Sequence, residues 1–188
     1  MLPPHSDAFL PQCHGTIWDS KFTGNLPMSI RPTLAALVAA VVLSSAPAVA
    51  GCLLPPNAQA LQQEVLAQLN AERKAHGLPA FRLSTKLDKA AQGHACDNAR
   101  RHSISHDSSD GATLKTRLQR AGYRFRAAAE NTGRGFGSGT RAVEWWMNSP
   151  KHRSNILLAK VRDVGIGIAL SEAPDNKLHW VINFGASR

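Results

Sequence analysis

The sequence predicts an α+β domain, helices first and an antiparallel sheet later, and three observations carry that reading. Apolar residues recur at helical spacing from Leu61 to Ala99 and again from Leu114 to Ala121. Residues 164–170 and 179–184 alternate with a period of two, as half-buried strands do. No internal repeat or composition boundary interrupts residues 58–188, so one domain is expected there.

Each element can be justified in order. Leu53-Leu54-Pro55-Pro56-Asn57 closes a linker over 52–57, and Asn57 is a candidate helix N-cap. Leu61, Val65, Leu66 and Leu69 form the stripe of a first helix; Gly77 ends it and Pro79 forbids its resumption. Phe81 and Leu83 make a short extended connector. Ser84 or Thr85 caps a second helix carrying Leu87, Ala90, Ala91, His94, Ala95 and Ala99, whose small residues let another layer approach closely. Residues 103–113 are polar loop. Thr113 caps a third helix from Leu114 to Ala121, and Gly122 is its C-terminal stop. Tyr123 to Ala129 reads as a strand. Gly133 to Gly139, with four glycines in seven residues, reads as a flexible turn. Thr140 opens a fourth helix through Trp146, which Pro150 stops. Asp175-Asn176 turns between the two closing strands.

Residues 32–50 contain no charge, follow Arg31 and end in Ala48-Val49-Ala50. That is a secretory signal, and its clean apolar core from Leu34 to Leu43 is too short for a membrane span. Met28 makes a natural start for it. A signal peptide is therefore expected over 28–51, with 1–27 a gene-model extension or disordered, so that Cys13, His14 and Trp18 carry no function. The formal net charge of +9 falls wholly after residue 51 and suits anionic partners such as envelope phosphates or a membrane surface. Solubility alone explains such a charge equally well. The basic residues are scattered without aromatic interleaving, which argues against nucleic acid.

Cys52 and Cys96 remain after the signal, and an even pair in an exported chain invites a disulfide. Val49-Ala50-Gly51-Cys52 also fits a lipobox, which would lipid-anchor the protein through Cys52. Lipidation would leave Cys96 a lone thiol in an oxidising compartment, so the disulfide is the preferred reading.

Three blocks concentrate the chemistry: Ser105-His106, Glu130-Asn131-Thr132-Gly133, and Trp146 through Leu157 with His152 in its middle. Imidazoles and a carboxylate delivered by three segments suit a metal site or a general acid–base pair. Taken singly, His106 reads as a surface loop histidine, Glu130 as a cap for backbone amides and His152 as a helix-end charge. His94, on an apolar face, reads as a satisfied core histidine. His102 and His106 have the four-residue spacing of a helical metal pair but lack the accompanying Glu. The glycines at 133–139 lack the Lys-Ser/Thr of a phosphate loop, and Ser138 lacks a nucleophile elbow. One of Trp145 and Trp146 should be core and the other rim.

In order, Leu69-Asn70-Ala71-Glu72-Arg73, His94-Ala95-Cys96-Asp97-Asn98-Ala99, Ser105-His106, Glu130-Asn131, Trp146 through Leu157, Asp163-Val164-Gly165-Ile166-Gly167 and Trp180 through Gly185 resemble the CAP superfamily. That superfamily joins cysteine-rich secretory, antigen-five and pathogenesis-related-one proteins, and residues 58–188 resemble its bacterial secreted SCP-like domains. The resemblance implies a three-layer α-β-α sandwich around a central cleft. It implies a cleft lined by His106, Glu130, Ser149 and His152, with His106, Glu130 and His152 as the metal-binding positions. Ser149 stands where the pattern has a second acid. Glu144 does not replace it, because five helical residues rotate it about 140° from Ser149.

The expected function is that of a secreted or periplasmic bacterial module whose cleft binds an envelope, lipid or glycan ligand. Two histidines and a carboxylate also suit a weak Zn²⁺ site with an open position. A metal-assisted hydrolase acting on peptide or envelope substrates is the alternative, and the family resemblance leaves open whether this is an enzyme. A monomer is expected.

Overall fold

A computed structural model describes residues 51–188. The extension expected over 1–27, and all but the last residue of the signal expected over 28–51, lie outside the described residues. The elements are α1 (Ala58–Ala75), β1 (Arg82–Leu83), α2 (Thr85–Arg100), α3 (Leu114–Arg120), β2 (Phe125–Arg134), α4 (Gly139–Met147), α5 (Pro150–Ile156), β3 (Asp163–Leu170) and β4 (Leu178–Ser187).

The strands form one sheet in the order β1-β3-β4-β2. β4 pairs antiparallel with both β2 and β3, while β1 adds two residues parallel to β3, so the sheet is mixed at that edge. Helices cover both faces. On one face Val164, Ile166, Ile168, Trp180, Ile182 and Phe184 pack with Leu61, Val65 and Leu69 of α1, Ala142, Val143 and Trp146 of α4 and Ile156 of α5. On the other, Ala91, Ala95 and Ala99 of α2 lie on Ala169 and Val181, while Leu87, Leu118 and Tyr123 close the α3 end. Each large apolar side chain so buried contributes about 1.5–3 kcal/mol.

The small-residue stripe of α2 meets glycines in β3. A Cβ on Gly167 would lie 2.3 Å from the Ala91 carbonyl, and one on Gly165 would lie 2.1 Å from the Leu87 carbonyl carbon. At that separation side chains reach the free edge of β3. Asp88 accepts from the Ile166 N–H at 2.9 Å. Gln92 accepts from the Ile168 N–H at 3.2 Å and donates to the Ile168 carbonyl at 2.8 Å. Gln62 of α1 donates to the Ile166 carbonyl at 3.0 Å, and the Leu170 N–H donates to the Leu53 carbonyl at 2.7 Å. A sheet edge that would otherwise show unpaired backbone groups is thereby satisfied. The Cys52–Cys96 disulfide, with Cα atoms 5.3 Å apart, ties the segment holding Leu53 to α2. It uses the sulfur on which the lipid-anchored alternative depends.

Ser84 and Thr113 cap α2 and α3 with their side chains, and Gly77 and Gly122, both at positive φ, end α1 and α3. Three details differ from expectation. Asn57 makes no side-chain cap bond. β2 continues past Ala129 to Arg134, because β4 offers partners from Asn183 to His179 for all of 130–134. Ser138 rather than Thr140 heads α4. Pro150 does more than stop α4: it occupies the first turn of α5, where its missing N–H has no intrahelical partner to lose. No helix among the described residues is long and apolar enough to cross a membrane.

Candidate functional site

The loop after α2 is held by its own carbonyls. His102 adopts φ 51° and turns the chain. The next five carbonyls each accept a hydrogen bond from a side chain. Ser103 receives His179 Nδ1 (2.9 Å), Ile104 receives Thr132 Oγ1 (3.1 Å), and Ser105 receives His94 Nε2 (2.8 Å) and Asn98 Nδ2 (3.0 Å). His106 receives Arg117 Nη1 (2.8 Å) and Asp107 receives Arg101 Nη2 (2.9 Å). Donors from α2, α3, β2 and β4 thus fix the loop that presents His106.

His106, its side chain 60% exposed, donates through Nδ1 to Glu130 Oε1 at 2.9 Å. Glu130 is buried on β2 and points to the α2–α3 side of the sheet, beside Asn183, its pairing partner on β4. The bond to the carboxylate raises the His106 pKa above its ordinary value, against a smaller opposing effect of burial. With Nδ1 committed, Nε2 is the nitrogen left to meet a ligand.

The second oxygen of Glu130 is also engaged. Arg117 Nη2 donates to Oε2 at 2.6 Å, and both side chains are buried. The Asn183 amide satisfies its surroundings with its nitrogen 2.9 Å from the same oxygen. Arg117 further donates to the Ala112 carbonyl (2.9 Å), although its Nε has no partner. His94 Nε2 lies 4.0 Å from Oε1, but burial lowers its pKa and its protonated nitrogen serves Ser105, so it is a neutral packing histidine.

His152 and Ser149 form a second pair at the start of α5. Ser149 heads the helix without capping it, and its hydroxyl instead meets His152 Nδ1 at 2.8 Å. Burial, and secondarily the charge of His106, hold the His152 pKa below its ordinary value. The exposed ring of Trp145 lies 5.2 Å from the His152 ring and 5.5 Å from Phe136. Trp146 is the core member of the Trp pair, its Nε1 donating to the Thr132 carbonyl at 3.0 Å. Asn131 and Asn155 join the two pairs through the backbone. Asn131 Nδ2 donates to the His152 carbonyl at 3.1 Å, and Asn155 Nδ2 donates to the Glu130 carbonyl at 3.2 Å.

His106 therefore bonds to Glu130, Ser149 bonds to His152, and no direct hydrogen bond links the two pairs. The donor set does not fit the divalent cation that the family resemblance implies. Both Glu130 oxygens are already accepting, and the buried Arg117 guanidinium places a positive charge against the carboxylate that would have to ligate. Among the described residues no three His, Cys, Asp or Glu side chains cluster closely enough to hold an ion.

Arg117 is a site residue outside the set that the sequence motifs mark. Its signal was available: Leu114, Arg117, Leu118 and Ala121 share one helical stripe, and an arginine there faces the interior.

Residues 66–184 match the model of the CAP family, described as the cysteine-rich secretory protein family. The Bacillus subtilis protein YkwD is 29% identical over 113 residues, 60% of this chain and 44% of its own length. The B. subtilis membrane protein YlbC is 31% identical over 107 residues, 57% of this chain and 31% of its own. The chain thus spans less than half the length of either relative. An extracellular SCP-domain protein from Bacillus anthracis superposes with a TM-score of 0.62 at 28% identity, covering 71% of this chain and 44% of that one. An outer surface protein from Borrelia burgdorferi superposes at 0.66 with 20% identity, covering 73% of this chain and all of that one, and shares the fold.

Proposed function

Because the chain belongs to the cysteine-rich secretory protein (CAP) family, we propose that it is an exported bacterial binding module for a glycan of the cell envelope. The signal-like segment over 28–51 and the extracellular description of the B. anthracis relative support export. The observation that carries the ligand class is Trp145, 49% exposed with its ring against His152. An exposed indole supplies a flat apolar face for a sugar ring, and its flanking imidazole supplies a directional polar contact. His106, aimed by a buried carboxylate, offers a second imidazole whose orientation is set before binding.

The test is a calorimetric titration with soluble peptidoglycan glycan fragments. Trp145→Ala should weaken binding by roughly tenfold, the order of an aromatic contact worth about 1.5 kcal/mol. Equal affinity in wild type and Trp145→Ala, or no heat in either, would defeat the proposal. A hydrolase reading has one observation of its own, the Ser149 hydroxyl within hydrogen-bond reach of an imidazole. Burial lowers the basicity of that imidazole, and no third group orients its ring, so binding is the better reading.

A further inference from the structure

Beyond the glycan site, the geometry points to a separate groove that binds a linear phosphodiester polymer, built from β1, the start of α2, α3 and the end of β4. Two adjoining depressions of about 720 and 740 Å³ share Gly122, Tyr123, Arg124 and Arg188. Five cations line them: Arg82, Lys86, Lys115, Arg124 and Arg188. They face one acidic side chain, Asp163. Asp163 is already spent, accepting from Tyr123 Oη at 2.7 Å and Arg82 Nη2 at 2.9 Å. Among the described residues Lys86, Lys115 and Arg124 have no acidic partner within salt-bridge distance, and all three are exposed.

A local excess of one sign in concave walls focuses the field and attracts a polyanion. The shape selects among polyanions. Two depressions in series suit a flexible chain carrying repeated charges, whereas a bilayer surface cannot enter them. Single-stranded nucleic acid needs exposed rings for its bases to stack on. Here Tyr123 is 5% exposed and its hydroxyl is committed to Asp163, leaving only half-buried Phe125. The ligand chemistry that fits is a polyol or sugar polymer joined by phosphodiesters, read through its charges.

The probe is synthetic poly(glycerol phosphate), with glycerol 3-phosphate as monomer, titrated into the folded protein at low and physiological salt. The polymer should bind with affinity falling steeply as salt rises, and the monomer should bind at least roughly a hundredfold more weakly. Lys86→Ala/Lys115→Ala/Arg124→Ala should lose roughly tenfold or more and flatten the salt dependence. The control Lys74→Ala/Arg141→Ala/Lys160→Ala removes the same charge from exposed positions outside the groove and should lose under roughly threefold. Equal losses in the two triple variants would mean that net charge alone acts, and would overturn the groove. So would monomer binding as tightly as polymer. Tighter binding of charge-matched single-stranded DNA or of anionic lipid vesicles would overturn the choice of ligand.

Discussion

Gly167→Ala tests how the two layers of the fold are held together. A Cβ there would sit 2.3 Å from the Ala91 carbonyl, whereas ordinary contacts begin near 3.4 Å, so α2 must retreat by about 1 Å. The retreat acts on three hydrogen bonds between α2 side chains and β3, now 2.8, 2.9 and 3.2 Å long. Stretched by about 1 Å they pass beyond hydrogen-bonding range. Each is worth about 0.5–1.5 kcal/mol, and forcing a methyl into a packed layer costs about 1–3 kcal/mol more. A loss of about 2.5–7.5 kcal/mol is therefore expected, against a total of about 5–15 kcal/mol for a typical domain. Urea unfolding followed by circular dichroism measures it. Gly137→Ala is the control, because a Cβ there meets nothing within 4 Å. A Gly167→Ala cost below about 1 kcal/mol, the everyday effect of a point substitution, would refute the argument that backbone contact sets the α2–sheet distance.

Other measurements address the site and the staple. Glu130→Gln replaces the anionic acceptor that raises the His106 pKa with a neutral one, so the His106 titration followed by NMR should move down towards about 6.5; an unchanged value would mean that the bond is not maintained in solution. His94, His152 and His179 are held below their ordinary pKa by burial, so their contribution is present above about 6.5 and lost as pH falls through that value. His106 acts oppositely, contributing below about 6.5 and losing that contribution as pH rises through its raised folded value. His94 and His179 are fully buried whereas the His106 side chain is 60% exposed and screened by water, so the urea midpoint should be lower at pH 5.5 than at pH 7.5, and an equal or higher midpoint at 5.5 would refute that balance. Reducing the disulfide, which links residues 44 apart in sequence, should cost about 2–4 kcal/mol in the same unfolding assay; no change would show that α2 and the β3 edge do not need the tether. Zn²⁺ affinity measured by calorimetry should rise in Arg117→Met, which removes a cation and one of the two donors on Oε2, and rise again on adding Ser149→Glu; a fall in the first step would show that Arg117 does not oppose the metal.

Much of the fold was legible because local signals and tertiary packing agree. Ser84, Thr113, Gly77 and Gly122 mark helix ends by side-chain chemistry and backbone conformation that need no partner. The end of β2 was illegible because Gly133 opens a glycine-rich run that reads as a turn, and only the presence of β4 makes residues 130–134 strand. α5 was illegible because one proline is compatible both with stopping a helix and with starting the next. At the site the sequence pointed to His106, Glu130, Ser149 and His152. It could not disclose that Glu130 would be bound by Arg117, because that partnership depends on how α3 lies over the sheet.

The five consecutive carbonyls of residues 103–107 separate what aims His106 from what surrounds it. A loop shaped by its own side chains changes course when they are exchanged. This one is anchored by residues of α2, α3, β2 and β4, and Ile104 is 57% exposed. Position 104 can therefore pass from aliphatic to aromatic to polar while the imidazole two residues on keeps its bearing. Substitution at 104 therefore changes the surface beside His106 without touching the scaffold that aims it, and a library randomised at 104 alone should keep the His106 titration unchanged.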